Sequence, residues 1–352
     1  MHPLLALAEE LQSHENIQAS LFLNRKALSK DLAFEGKVIP LDVAGLKRSA
    51  DPSNFWTLLA LPRAILTARR AMKTPRPGVV VGFGGYASMP GALAGLTLRI
   101  PLIIHEQNII PGLANRLLAP FAARLAVSFE ATLEKFPGWR KKAVLTGNPL
   151  YHYRRNDEAG EDAWEYFNLE KGRATVAILG GSQGAASINR AVLGALPLWG
   201  DRADLQIIHS VGRDKYQEFK VQATKVDIGG LIYRPLEFIE RMDLVYGCAD
   251  IAVSRAGAST ISELAAAGCP AILVPYPFAT AAHQEANAAV LERAGGARVI
   301  SDADLDAQRL VHEIDDLLAD RSGLMEMRES ASRVGKADAT ERLAAMVMAL
   351  EK

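Results

Sequence analysis

SRAGASTISELAAAGCP, Ser254 to Pro270, is the stretch on which the reading of the fold turns. Asp250-Ile-Ala-Val-Ser254 leads into it as an apolar run of strand length, and Arg255-Ala-Gly-Ala258 is a turn of small residues. The spacing predicts a helix opening at Ser259 or Thr260 and running to about Ala267, closed by Gly268 and Pro270. A second buried strand, Ala271-Ile-Leu-Val-Pro275, follows at once. A strand, a glycine turn and a helix N-terminus make an anion site, because free backbone N–H groups and the helix dipole both favour a phosphate there. Glu263 lies one turn in, where a carboxylate reaches ribose hydroxyls beside such a phosphate. Thr260-Ile-Ser-Glu263 also spells a capping box, in which Glu263 closes on the backbone instead, and the residues alone leave both readings open.

The 352 residues are enough for two domains, and 49% hydrophobic with 23% charged residues is the balance of a globular protein. Net charge is zero but unevenly spread: residues 1–150 hold 18 Lys and Arg against 10 Asp and Glu, and the remainder holds 22 against 30. A half with charge +8 beside one with −8 suggests that the first meets something anionic, a phosphorylated ligand or a membrane surface; a nucleic acid is not expected. Cys248 and Cys269 offer neither a disulfide framework nor metal-ligand spacing, which suits a reducing cytoplasm. No apolar run reaches the length of a spanning helix and no signal peptide is visible, so a membrane, if used, is met from its surface.

Alternating strands and helices run the length of the chain. Met1 to Leu11 reads as a helix with Pro3 at its first position, where a strand and turn normally open such a chain. Leu58 to Lys73 is amphipathic: Leu58, Leu61, Ile65 and Met72 share helical spacing among Arg63, Arg69, Arg70 and Lys73, with Phe55 and Trp56 just before. That pattern suits either a packed surface helix or one lying on a membrane. Gly82-x-Gly84-x-x-Ala87 imitates a dinucleotide fingerprint, with Glu106 about where a ribose-binding acid sits. Gly147-Asn-Pro149 marks a boundary, after which strand Ala174–Leu179 runs into Gly180-Gly-Ser-Gln-Gly184 and the alternation restarts. The expectation is an α/β protein of two doubly wound domains facing a cleft: residues 1–148, residues 149–335, and a C-terminal helix in 336–352 packing back on the first.

Taken in order, Gly82-Phe-Gly-Gly-Tyr86, His105-Glu-Gln-Asn108, Gly147-Asn-Pro149, Gly180-Gly-Ser-Gln-Gly-Ala185, Arg255 to Glu263, His283-Gln-x-x-Asn-Ala288 and Asp338-Ala-Thr340 resemble the MurG-type N-acetylglucosaminyltransferases of peptidoglycan synthesis. The resemblance implies the GT-B arrangement of two Rossmann-like domains. It also implies a reaction: N-acetylglucosamine passes from UDP-N-acetylglucosamine to the 4-hydroxyl of the muramoyl sugar of lipid I, with inversion, giving lipid II. It further implies a peripheral enzyme on the cytoplasmic face of the inner membrane. No acidic pair suggestive of a bridging metal stands out, so transfer without a metal or other cofactor is expected, the helix after Ala258 meeting the charge of departing UDP.

By the same resemblance Glu263 holds the ribose, and Ala258, Ser259, Thr260, Ile261 and Ser262 carry the diphosphate contacts, with Arg255 close by. Ser182 adds a hydroxyl, the Ile239 backbone reads uracil, and Gln284 with His283 binds sugar hydroxyls. In the first half Asn108 matches a donor contact, Glu106 and Tyr86 are catalytic candidates, and Gly84, Gly85 and Tyr86 face the acceptor. Two departures stand out. The opening strand and glycine-rich loop of the family are missing, with His2-Pro3 matching the loop's end and making His2 the general-base candidate. Tyr151 stands where the family has an arginine, for which Arg154 or Arg155 is the substitute. Two other function classes stay in play: an NAD-dependent oxidoreductase using the Gly82 fingerprint, and a nucleotide-sugar binder without turnover.

Overall fold

The computed structural model describes residues 2–25, 34–43, 53–151, 159–181, 183–279 and 282–351, the side chains of residues 53–59 and 159–162 excepted. Ser182 and the Arg154–Arg155 pair therefore lie outside the described residues, as do the side chains of Phe55, Trp56 and Leu58. The chain divides into two units, residues 1–151 with 337–352, and residues 152–336.

In the first unit α1 (His2–Ser13) precedes β1 (Ser20–Asn24) and β2 (Lys37–Leu41), a parallel pair; then come α2 (Ser53–Ala71), β3 (Val80–Gly82), α3 (Met89–Thr97), β4 (Leu102–Glu106), α4 (Leu113–Leu118), β5 (Arg124–Val127), α5 (Glu130–Lys135) and β6 (Ala143–Leu145). Strands β3, β4, β5 and β6 form a parallel sheet in that order. Strand β4 is buried at every position, as expected of a parallel strand covered on both faces. On one face α2 and α3 enclose Val80, Leu102, Ile104 and Leu125. On the other, Leu7 and Leu11 of α1 meet Ile103, Ala126 and the C-terminal helix's Leu343, Ala344 and Val347.

The second unit begins with α6 (Ala159–Tyr166) and continues with β7 (Ala174–Leu179), α7 (Ala186–Ala195), β8 (Leu205–Ser210), α8 (Tyr216–Ala223), β9 (Ile232–Leu236) and α9 (Met242–Cys248). There follow β10 (Ile251–Ser254), α10 (Ala258–Ala267), β11 (Ala271–Leu273), α11 (His283–Ala294), β12 (Ala297–Val299), α12 (Ala307–Ala319) and α13 (Arg321–Val334), with α14 (Ala339–Glu351) returning to the first unit. Its six strands are parallel in the order β12-β11-β10-β7-β8-β9. Chain order reverses between β7 and β10, and in such sheets ligands bind beyond the carboxyl ends of the strands at that reversal. The two glycine turns singled out in the sequence leave these two strands. The expected α/β class of two doubly wound units is what the chain adopts.

The turn after β7 requires its glycines. Gly184 has φ +69, and a Cβ there would run into the Val211 carbonyl; Gly212, at φ +98, abuts Gly184 in return. Lys215 fastens the turn by donating to the Gln183 carbonyl at 2.6 Å. Gly184→Ala is expected to cost on the order of 3 kcal/mol through strain and the displaced backbone, read as a fall in melting temperature. A melting temperature within a degree of wild type would contradict it.

Candidate functional site

Helix α10 begins at Ala258, one residue earlier than its sequence suggests, with Gly257 as an extended N-cap and no side-chain cap. The capping-box reading fails here. Glu263 accepts a hydrogen bond from the Tyr246 hydroxyl on its Oε2 at 3.0 Å, and does not return to the backbone. Without a capping side chain the N-terminal N–H groups of α10 are presented to whatever lies beyond the strand ends. Ser262 turns its hydroxyl inward to the Ala258 carbonyl at 2.9 Å, and from Ile261, whose N–H donates to the Gly257 carbonyl at 2.9 Å, the backbone N–H groups are already engaged in the helix. Burial pushes the Glu263 carboxyl up to about 7, the Tyr246 hydrogen bond pulling weakly the other way.

Arg255 requires a correction. Its guanidinium donates to Asp302 at 2.5 Å, to the Val274 carbonyl at 3.0 Å and to the Ser187 hydroxyl at 2.8 Å, and lies over the Tyr276 ring. Desolvation would raise the Asp302 carboxyl, but hydrogen bonds from Ser187 and Arg255 outweigh it and hold it low. Arg255 therefore ties the loops after β10, β11 and β12 to α7, and does not reach toward the α10 terminus. The turn it opens is gripped from α11 as well. Gln284 Oε1 accepts from the Ala256 and Tyr276 N–H groups at 3.2 and 2.9 Å, and fully buried Asn287 donates to the Ala256 carbonyl at 3.3 Å. The Gln284 carboxamide is thus fixed with its NH2 side outward. His283 is the first residue of α11, following Ala282 in the left-handed region at φ +52.

Ile239 is 4% exposed, so its side chain belongs to the core. The neighbouring backbone nevertheless lines a groove of about 680 Å³ beyond β9, where Arg213 stacks on the Phe238 ring at 4.8 Å.

In the first unit the His105-Glu-Gln-Asn108 stretch is a latch. Fully buried His105 places Nε2 3.0 Å from the Gly147 carbonyl and Nδ1 2.8 Å from the Gln107 amide, a pattern met by the neutral ring protonated on Nε2. Burial lowers its pKa to about 4. Glu106, expected to be catalytic, is 2% exposed. Its oxygens accept from the backbone N–H of Asn108 and of Gly112 and from the Asn115 amide, at 2.9, 3.0 and 2.8 Å. Burial raises its pKa, and those hydrogen bonds oppose the rise. Glu106 organises a loop and has no reach left for substrate, which also removes the ribose-binding acid from the dinucleotide reading. The glycines of that fingerprint lead into a 3-10 turn at Tyr86–Ser88. Gly84 and Gly85 have φ +77 and +71, and a Cβ on Gly84 would press on the Asn115 amide at 3.0 Å. Tyr86 is half-buried, its pKa raised by that burial, and Asn108 stays partly open beside Glu106. His2 is exposed at the start of α1, its ring 5.8 Å from that of Tyr151, which hydrogen-bonds Glu9 of the same helix.

The membrane-surface reading of α2 is also corrected. Ala64, Ala68 and Met72 are buried, and Ile65 packs on the same core, so the apolar stripe serves the sheet. The exposed apolar surface lies on α4 and the 3-10 turn after it. Leu113, Leu117 and Phe121 are 67%, 56% and 66% exposed at intervals of four residues. Arg116 is exposed on α4 itself, Arg124 on β5 and Arg140 and Lys141 on the turn before β6, whose Lys142 donates back to the Pro120 and Ala122 carbonyls. Among the described residues no helix is long and apolar enough to cross a membrane, and no group of three or more His, Cys, Asp or Glu is placed to hold a metal ion. Tyr246, Asn287 and Asn115 escaped the sequence reading. Their partners are 17, 31 and 9 or 10 residues away, and no local pattern announces such pairs.

Residues 1–127 match the Glycosyltransferase family 28 N-terminal domain and residues 175–343 the Glycosyltransferase family 28 C-terminal domain. A protein of Halothermothrix orenii named UDP-N-acetylglucosamine–N-acetylmuramyl-(pentapeptide) pyrophosphoryl-undecaprenol N-acetylglucosamine transferase is 37% identical over 345 residues, covering 96% of this chain and 92% of its own. One of the same name from Listeria monocytogenes is 35% identical over 360 residues, covering 100% of this chain and 96% of its own. The crystal structure of Acinetobacter baumannii MurG is similar with a TM-score of 0.74 at 28% identity, over 99% of this chain and 95% of that one.

Proposed function

Because the chain belongs to glycosyltransferase family 28, among the UDP-N-acetylglucosamine–N-acetylmuramyl-(pentapeptide) pyrophosphoryl-undecaprenol N-acetylglucosamine transferases, we propose that it transfers N-acetylglucosamine from UDP-N-acetylglucosamine to the 4-hydroxyl of the muramoyl sugar of lipid I, yielding lipid II and UDP. The observation that carries this reading is the uncapped N-terminus of α10 at the reversal of strand order, with Glu263 one turn in. The diphosphate sits on the first-turn N–H groups of Ala258 to Thr260, with Ile261 and Ser262 extending the helix behind them, and the ribose on Glu263. Uracil lies on the Ile239 backbone, and the sugar hydroxyls meet the outward amide of Gln284 and His283. In the first unit Asn108, Gly84, Gly85 and Tyr86 serve the substrate, held by the Glu106–Asn115 latch.

The acceptor oxygen attacks the anomeric carbon opposite UDP, the bond from that carbon to UDP breaks, and the hydroxyl proton passes to His2. Charge developing on UDP is met by the α10 terminus, which is the basis for proposing transfer without a metal. The test is transfer of labelled N-acetylglucosamine from its UDP donor to a lipid I analogue in the presence of EDTA. Turnover is expected; a protein that neither turns over nor binds UDP would overturn the reading.

A peripheral place at an anionic lipid surface is part of the proposal. Leu113, Leu117 and Phe121 would enter the headgroup region, with Arg116 on the same helix and Lys142 bonded to the Pro120 and Ala122 carbonyls on either side of Phe121. Since α4 also carries Asn115, which bonds Glu106 and abuts Gly84, the lipid-facing helix and the acceptor loop share one support. Replacing the three apolar residues by serine is expected to weaken sedimentation with phosphatidylglycerol vesicles about tenfold or more, from the apolar area withdrawn, while UDP binding is unchanged. Equal sedimentation of variant and wild type would place the contact elsewhere.

A further inference from the structure

Helix α9 lies between the groove beyond β9 and strand β10, with Leu244, Val245 and Tyr246 on its buried side. Tyr246 is 4% exposed, and a phenol so buried needs a polar partner. Its hydroxyl donates to Glu263 Oε2 at 3.0 Å, and Glu263 Oε1 takes no hydrogen bond among the described residues. The terminal torsion of a glutamate is broad, so an unfastened carboxylate samples many orientations. A phenol on one oxygen fixes the carboxylate plane and leaves lone pairs of both oxygens on the open side. A vicinal diol needs that arrangement: two O–H groups held side by side donate to two coplanar oxygens.

We propose that Tyr246 is the positioning residue that aims the Glu263 carboxylate, and that it thereby sets the preference of the donor site for ribonucleotides over 2′-deoxyribonucleotides. This rests on the reading of Glu263 as the ribose acceptor. A site built to pair with a hydroxyl rejects the analogue lacking it, because its own polar group is then left unpaired. The rejection is only as strong as the aim of that group. A tyrosine serving packing alone would contribute to stability and leave the selectivity untouched.

The test is calorimetric titration of UDP and 2′-deoxy-UDP into wild type, Tyr246→Phe, Glu263→Gln and the double variant. A pH of 8.5 keeps the carboxylate ionised, so that a change of protonation cannot imitate a loss of aim. Phenylalanine preserves the ring packed behind α10, and a melting temperature near wild type checks this. Wild type is expected to prefer UDP, and Glu263→Gln to abolish the preference. Tyr246→Phe is expected to reduce it about tenfold, the scale of one hydrogen bond to a charged group, by weakening UDP and sparing 2′-deoxy-UDP. The double variant should match Glu263→Gln, since one residue acts through the other. If Tyr246→Phe keeps the full preference while Glu263→Gln loses it, Tyr246 does not aim the carboxylate and the ribose reading stands. If Glu263→Gln keeps the preference, the ribose reading falls and this inference with it.

Discussion

Replacing His2 with alanine is expected to lower kcat by about 10²- to 10⁴-fold, the range for loss of a general base, with the dissociation constant for UDP-N-acetylglucosamine changed by less than about twofold. The reaction needs a group to take the proton of the acceptor hydroxyl as the new bond forms, and an unassisted sugar hydroxyl is a poor nucleophile at neutral pH. Glu106 is ruled out for that role by the four hydrogen bonds its oxygens accept from its own loop. His2 is exposed. It is also carried on a fastened element: α1 packs Leu7 and Leu11 against the sheet and α14, and the Tyr151 ring stands beside the imidazole. Single-turnover measurement with saturating donor separates the chemical step from binding. A His2→Ala enzyme retaining more than about a third of wild-type kcat would move the base to another residue, Tyr86 being the first to examine.

The sequence was most informative where structure is local. The expected strand Asp250–Ser254 is observed as Ile251–Ser254, and the expected helix from Ser259 or Thr260 to Ala267 is observed as Ala258–Ala267. Apolar runs, glycine turns and proline stops act over a few residues and can be read directly. Where a side chain's partner is distant, the reading failed or stayed open. Arg255 looked like a phosphate ligand by its place beside the turn, yet its partners Ser187 and Asp302 are 68 and 47 residues away. Glu106 looked like a cleft acid because strands end in crevices, whereas Gly112, the N-cap of α4, and Asn115 in that helix fold back over it.

Of the two apolar faces, that of α2 stayed open in the sequence and that of α4 went unread, for a related reason. An apolar stripe reports that something covers it and does not say what. In α2 the inward residues include Ala64 and Ala68, small enough for close approach to α3 and β2, so the stripe is filled by the protein itself. Helix α4 has six residues, too short for periodicity to stand out, and its Leu113, Leu117 and Phe121 register as a face only when the 3-10 turn continues it.

The affinity for UDP-N-acetylglucosamine should rise with pH through neutrality, and Glu263→Gln should both weaken binding and remove that dependence. In the free protein burial holds the Glu263 carboxyl at about 7, and among the described residues Tyr246 is the titratable group that acts on it. Ribose hydroxyls donate to the ionised form, so binding lowers the carboxyl pKa and expels a proton. Below pH 7 the apparent affinity should fall by up to about tenfold per unit, and above pH 8 it should level off. The diphosphate diester of the sugar nucleotide titrates nowhere in this range, which keeps the signal with the protein. Losing both hydroxyl contacts is expected to cost about 100-fold in kcat/KM for the donor at pH 8, from about 3 kcal/mol of charge-assisted hydrogen bonding. The stability effect has the opposite sign. A carboxyl raised on folding favours the folded state below about pH 4.5, and that contribution is lost as pH rises toward 7. At pH 8 the wild type therefore carries a buried carboxylate at a cost on the order of 3 kcal/mol, which glutamine relieves. Glu263→Gln should melt higher than wild type at pH 8 and close to it at pH 4.5. Titrations from pH 6 to 8.5 in buffers of differing ionisation enthalpy read the expelled proton directly. Wild-type affinity that stays flat across that range would remove Glu263 from the ribose site. If the slope appears, the carboxylate is tolerated in the free protein because the ligand restores its hydrogen bonds, so the same residue weakens the empty fold and strengthens the occupied one.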